Sequence, residues 1–188
     1  MGMSNDSDHA VAAIPGYKSG TWKVDPAHCD IAFSVRQLLI TTASGRFTRY
    51  DVNIVTGDDP LDSSIDATIE LASLDTGNEK RDEHIRSDTF FGVAKHPTAS
   101  YRSTGIRRAG EGWVIDGDLT LHGITHNVPL AVAVTGFGPG PNGGWRAGFS
   151  ATAQLSRGEF GIDGWTGGGL VVSDKVSISL EVQAVLQT

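Results

Sequence analysis

Among 188 residues there is a single cysteine, Cys29. One thiol cannot close an intramolecular disulfide, and zinc motifs built on cysteine pairs are excluded. Six histidines are present, but none stands in a His-x-His pair. The Gly-Ile-Thr between His122 and His126 reads as a turn rather than a helix face. Zinc needs three or four converging ligands, so no metal site is expected. A GxSxG nucleophile elbow is missing. On alternation Cys29 falls with Ile31 and Phe33 on an apolar face, where a thiol is inert. Basic residues are few: 15 Lys and Arg face 22 Asp and Glu, for a net charge of −7. They form no stripe, which argues against nucleic acid as a partner and weakly against electrostatic adhesion to anionic membranes. Long hydrophobic runs are also missing. The N-terminal AVAAI is too short for a signal-peptide core or a membrane span. Residues 1–18 therefore read as a disordered tail, residues 19–188 as one domain, and the chain as cytoplasmic.

What the chain does have is period-two alternation, the mark of a strand with one buried face. Val176, Ile178, Leu180, Val182, Ala184 and Leu186 share a face. So do Trp113, Ile115, Leu119 and Leu121, opposite Asp116, Asp118 and Thr120. Val128, Leu130, Val132 and Val134 form a third set, and Trp145, Ala147, Phe149, Ala151, Ala153 and Leu155 a fourth. Ile31, Phe33 and Val35, and then Ile65, Ala67, Ile69 and Leu71, repeat the pattern. Turn signals at 58–60, 107–112, 122–126 and 138–144 separate the runs, and glycine is abundant at 24 residues. About eight hairpin-linked strands suit an antiparallel barrel or sandwich. The small inward alanines leave room, and an eight-stranded barrel can either fill its interior or hold one small ligand.

Two motifs point elsewhere. Gly138 to Gly143 matches GxGxxG, but a strand follows where the dinucleotide fingerprint needs a helix, so it reads as a hairpin loop. The run RDEHIRSDTFF, Arg81 to Phe91, is dense in charge. Thr76 and Glu79 have capping-box spacing, and Asp82 and Arg86 can pair four residues apart, predicting one short helix near 77–87. Ile85 is its one large apolar residue, so it needs an anchor, and Phe90-Phe91 supplies one. The inward sets contain almost no polar group, which favours binding over catalysis.

The segments DPAHCDIAFSVRQL (25–38), ASGRF (43–47), RDEHIRSDTFF (81–91), HPTASYRST (96–104), GDLTLHGITHNV (117–128) and SRGEFGI (156–162) occur in the order seen in the YceI-like family. The chain resembles these lipid- or polyisoprenoid-binding proteins over residues 20–187. The resemblance implies an all-β fold: an eight-stranded antiparallel extended β-barrel, lipocalin-like, with a long apolar interior. Asp25 and His28 match the start of the family's second strand. Arg81, Asp82, His84, Phe90 and Phe91 match its helix signature. Gly117, Leu119, Thr120, Gly123 and Thr125 match its LTxxGxT hairpin, and Arg157, Phe160 and Gly161 its RxxFGI segment. Gln37 departs from the histidine common there, and residues 161–174 are short and rich in glycine.

On this reading the function is binding, sequestration or transport of an apolar isoprenoid-type lipid, polyprenyl or quinone-like, and not catalysis. Ile31, Phe33, Val35, Trp113, Leu119, Leu121 and Phe149 are expected to line the tunnel, with Phe90, Phe91 and Trp165 near its ends. Arg81, His84 and Arg86 are candidates for a head group, since arginine suits bidentate phosphate contact. Ion pairs of the two arginines with Asp82, Glu83 or Asp88 are the alternative. No cofactor is expected beyond a bound lipid. The expected partner is an apolar small molecule or lipid; a homodimer stays open, and nucleic acid and a membrane span are not expected. Two other functions also stay open: an enzyme acting on an isoprenoid or other apolar substrate, and a protein-interaction module.

Overall fold

A computed structural model describes residues 14–38, 40–163 and 172–188. In chain order the strands are β1 (Gly20–Val24), β2 (Asp30–Gln37), β3 (Thr41–Phe47), β4 (Tyr50–Thr56), β5 (Ser64–Glu70), β6 (Leu74–Asp75), β7 (Thr98–Ala109), β8 (Gly112–Leu121), β9 (Ile124–Asn127), β10 (Leu130–Pro139), β11 (Trp145–Ser156) and β12 (Val172–Leu186). One α-helix, α1 (Glu79–Arg86), lies between β6 and β7.

Eight of these strands close a ring in the order β1-β4-β5-β7-β8-β10-β11-β12, and β12 returns to β1 with Trp22 opposite Leu186 and Val24 opposite Ala184. Every pairing in the ring is antiparallel. Closure leaves the ring without edges. The long β12 also pairs β2, with Leu180 opposite Ile31 and Val176 opposite Val35. A 3₁₀ turn at Pro26–His28, capped by the Asp25 carboxylate on the Ala27 N–H at 3.1 Å, separates β1 from β2. Beyond that break, β2, β3 and β6 extend the wall past the ring.

Alternation puts the apolar sets inward, and bulges reset it. In β7 the register shifts between Ser103 and Gly105, so Tyr101 and Ile106, odd and even, both face the interior. In β10 a shift between Val134 and Gly136 returns Phe137 to the inside. The extra residue of a bulge reverses the parity of everything after it. Gly117 is required by a close approach: a Cβ there would sit 2.3 Å from Tyr101 Cζ. Two buried clusters result, one around Leu71, Tyr101, Ile115, Phe160 and Ile162, the other around Trp22, Ile54, Ala147 and Ala184.

The helix differs in detail from expectation. Its cap is Asn78, whose side chain accepts the Arg81 N–H at 3.0 Å, rather than Thr76. Thr76 is instead held by the buried Asp82 carboxylate through both its N–H and its hydroxyl. Asp82 is therefore engaged with Thr76, and Arg86 meets Glu79 at 3.9 Å and donates to the Leu74 carbonyl at 2.8 Å. The Asp82–Arg86 pair expected from spacing gives way to these, because the chain before the helix folds back over it.

The tail also begins to order earlier than residue 19. Tyr17 Oη donates to the Gly57 carbonyl at 2.7 Å, Trp145 Nε1 donates to the Gly16 carbonyl at 2.8 Å, and Lys18 Nζ lies 3.9 Å from the centre of the Trp145 ring. Residues 14–18 are thus packed on the barrel, and residues 1–13 lie outside the described residues.

Candidate functional site

The barrel is hollow. A cavity of about 330 Å³ runs through it, walled almost wholly by carbon. Inward residues of β2 (Ile31, Phe33, Val35), β5 (Ile65, Ala67, Ile69), β8 (Trp113, Ile115, Leu119, Leu121), β10 (Leu130, Val132, Val134), β11 (Phe149, Ala151, Ala153, Leu155) and β12 (Val176, Ile178, Leu180, Val182) line it. The alanines of β11 open the space, because a methyl group leaves the middle of the lumen to whatever enters. Among the described residues no helix is long and apolar enough to cross a membrane.

Each end has its own aromatic packing. At one end Phe137 meets Tyr17, Trp22 and Phe149 edge-on, with centroids 5.2, 5.5 and 5.7 Å apart. Trp22 is fully buried and donates from Nε1 to Thr56 Oγ1 at 2.8 Å. At the other end Phe33, Phe47, Phe91 and Phe90 form a chain with centroids 5.6, 6.3 and 5.5 Å apart. The chain after α1 turns sharply, with Phe91 N–H on the Ile85 carbonyl at 2.9 Å, and this places both phenylalanines and Ile85 on the cavity wall.

Two arginines stand on the wall at that second end, each with part of its five N–H donors engaged. Arg81 donates from Nε to Thr76 Oγ1 and from Nη2 to the Thr76 carbonyl, both at 2.8 Å. Arg157 donates to the carbonyls of Ser173, Ile162 and Val172 at 2.9, 2.8 and 2.8 Å. Carboxylates stand close to both guanidiniums: Asp82 shares Thr76 with Arg81, and Asp174 lies beside Arg157. Deeper in, Tyr101 Oη donates to the Val128 carbonyl at 2.9 Å. Burial first, and then Asp116 and Asp118, push this phenol well above its ordinary value, so it stays a neutral donor.

The structure brings Ile31, Phe33, Val35, Phe90, Phe91, Trp113, Leu119, Leu121 and Phe149 to one wall, and Arg81 with them. His84 and Arg86 are not on it, and Arg86 turns to Glu79 and Leu74. Trp165 lies outside the described residues. Sequence reasoning missed Val52 and Ile54 of β4, and also Tyr101, Phe137 and Tyr17. Val52 and Ile54 of YDVNIVT carried an alternation signal for β4, and Ala99 and Tyr101 one for β7; Phe137 follows a bulge that no alternation shows.

Other matched residues have structural tasks. His122 Nδ1 lies 3.0 Å from the Phe160 carbonyl and His126 Nε2 2.9 Å from the Glu159 carbonyl, tying the β8–β9 hairpin to the 3₁₀ turn Arg157–Phe160. Among the described residues no group of three His, Cys, Asp or Glu is placed to hold a metal. Asp25 accepts from Arg146 at 3.1 Å and sits 3.0 Å from His28 Nδ1; the His28 contact, the Ala27 N–H and Arg146 hold its carboxyl below its ordinary value. Cys29 Sγ lies 3.3 Å from the Gln183 carbonyl, and burial pushes its thiol up.

Comparison with known proteins agrees with this geometry. A family model described as the YceI-like domain matches residues 22–184. A UPF0312 protein of Photorhabdus laumondii is 35% identical over 145 residues, 76% of each chain. The crystal structure of Burkholderia cenocepacia BcnA superposes with a TM-score of 0.76 at 21% identity, covering 85% of this chain and 98% of that one. A polyisoprenoid binding domain from Saccharophagus degradans superposes with a TM-score of 0.70 at 16% identity, covering 90% of this chain and 100% of that one.

Proposed function

This chain belongs to the YceI-like family, and we propose that it binds an apolar isoprenoid-type lipid, polyprenyl or quinone-like, along the axis of its barrel. The observation that carries the reading is the cavity itself: about 330 Å³, lined by aliphatic and aromatic side chains from every ring strand but β1. Taking the ~30 Å³ that one water occupies in the liquid, there is room for about ten carbon-sized groups. Burying ten such groups contributes roughly 8 kcal/mol gross. Lost motion of ligand and chain offsets several kcal/mol of that, leaving affinity on the order of micromolar. No polar contact is needed for this, so the site selects by shape and apolarity.

The polyisoprenoid-binding description of the Saccharophagus fold relative points the same way. Arg81 and Arg157 lie on the cavity wall, and their positive charge suits a phosphate or a quinone oxygen. Arg81, on the wall, supports the head-group reading; His84 and Arg86 lie off the wall. A catalytic reading draws little support from the wall, because its tyrosines donate to main-chain carbonyls and its arginines are anchored on Thr76 and on main-chain carbonyls.

The test is solvent extraction of freshly purified protein followed by mass spectrometry of the extract. An isoprenoid-type lipid present in proportion to protein is expected. A lipid-free extract, together with failure to take up an added isoprenoid, would refute the reading.

A further inference from the structure

A free apolar chain is hardly soluble in water, so a barrel that holds one must collect it from an apolar phase. The β2–β3 hairpin has the chemistry for that meeting. Ile40 is 84% exposed and Leu38 43% exposed at its tip. Leu38 has φ 52°, a left-handed conformation that large side chains rarely adopt. Spending strain to present an apolar side chain to solvent calls for a functional reason. The arms of the hairpin lead straight from the tip into the cavity: Gln37 pairs with Thr41, and Val35, Gln37 and Ala43 all line the wall. Within residues 33–45 the single charged side chain is Arg36, and it is exposed.

We propose that this tip docks on a lipid bilayer surface, with Leu38 and Ile40 entering the boundary between head groups and acyl chains and Arg36 at the level of the phosphates. The proposal rests on the reading of the cavity as a lipid site, and it gives that site a route of loading: the mouth opens against the membrane, and lipid passes between two apolar environments. The net charge of −7 opposes adhesion by charge, so the contact is apolar first and persists in salt. A second copy of the chain fits the tip less well. Leu38 and Ile40 offer far less than the ~800 Å² per partner of a stable protein interface.

The experiment pairs two readouts on the full chain and on the double variant Leu38→Ser, Ile40→Ser. One is co-sedimentation with phosphatidylcholine–phosphatidylglycerol vesicles. The other is quenching of tryptophan emission by decylubiquinone in buffer, which reports folding and, through Trp113 on the cavity wall, cavity binding. The wild type is expected to sediment with vesicles, and the variant to lose that partitioning by about tenfold or more while keeping its quenching within about twofold. A wild type that takes up the quinone yet ignores vesicles overturns the docking proposal. So does a variant that sediments as the wild type does, or one whose only change is in self-association. Absence of quinone uptake by the wild type instead overturns the lipid-site reading beneath it.

Discussion

Gly45 lies directly beneath the ring of Phe33: a Cβ there would stand 2.6 Å from Phe33 Cζ and 2.9 Å from Thr76 Cγ2. One glycine thereby sets both the aromatic wall of the cavity and the residue that holds Arg81. Gly45→Ala must swing the Phe33 ring into the lumen. Overpacking of this kind costs about 1–3 kcal/mol. The expected result is a lower urea midpoint together with weaker uptake of an apolar probe, measured by equilibrium denaturation and by fluorescence titration.

Filling the lumen separates binding from folding. Ala151 lines the cavity opposite Leu180 of β12. Ala151→Phe places a ring in space that the wild type leaves to ligand. The variant is expected to lose probe uptake by about tenfold or more while its stability holds within ~1 kcal/mol or rises, because cavity filling adds contacts without displacing packed atoms. Probe titration and urea denaturation on the same sample check both halves.

How much of this was legible in the sequence follows from parity. Strands with unbroken alternation, such as β8, β11 and β12, can be read directly, and most of their inward residues are the wall, while Trp145, Ala147, Ala184 and Leu186 pack around Trp22 instead. β7 and β10 keep period two only up to a bulge, so Ile106 and Phe137 count as outward on the sequence and are inward in the barrel. β3 carries Ala43 and Gly45 on its inner face, too small to give a hydrophobic signal. The helix was legible as an element but not in its contacts. Spacing shows which residues can meet within α1, whereas Thr76 reaches Asp82 and Leu74 reaches Arg86 because the chain before the helix folds back across it.

Arg157 joins the two flanks of residues 163–171 by donating to Ile162 on one side and to Val172 and Ser173 on the other. Each charge-assisted bond to a carbonyl contributes ~1.5–3 kcal/mol when its loss leaves the acceptor dry, and less where water replaces the guanidinium. Arg157→Ala is expected to cost roughly 2–4 kcal/mol in total by urea denaturation. Arg157→Lys should recover only part, since one ammonium cannot span the three acceptors.

Acid should loosen the same region. Asp174 accepts from the Ser156 hydroxyl and from the Gly158 N–H at 2.9 Å, and these bonds, in that order, hold its carboxyl below the ordinary 3.8; Arg157 adds to the effect. Asp25 is lowered in the same sense, first by His28. A lowered folded value means the unfolded chain takes up the proton first. The stabilisation is therefore complete above the ordinary 3.8 and fades as pH falls from there through the lowered folded values. The urea midpoint should fall over that acid range, and Asp174→Asn together with Asp25→Asn should flatten the fall.

The most direct measurement is native mass spectrometry of freshly purified wild type beside Ala151→Phe. The wild type should carry a mass increment that matches one isoprenoid-type lipid per chain and disappears on denaturation. Ala151→Phe should fly as the bare polypeptide. A wild type that is also bare, and that remains so after incubation with an isoprenoid quinone, would contradict a lipid-filled barrel.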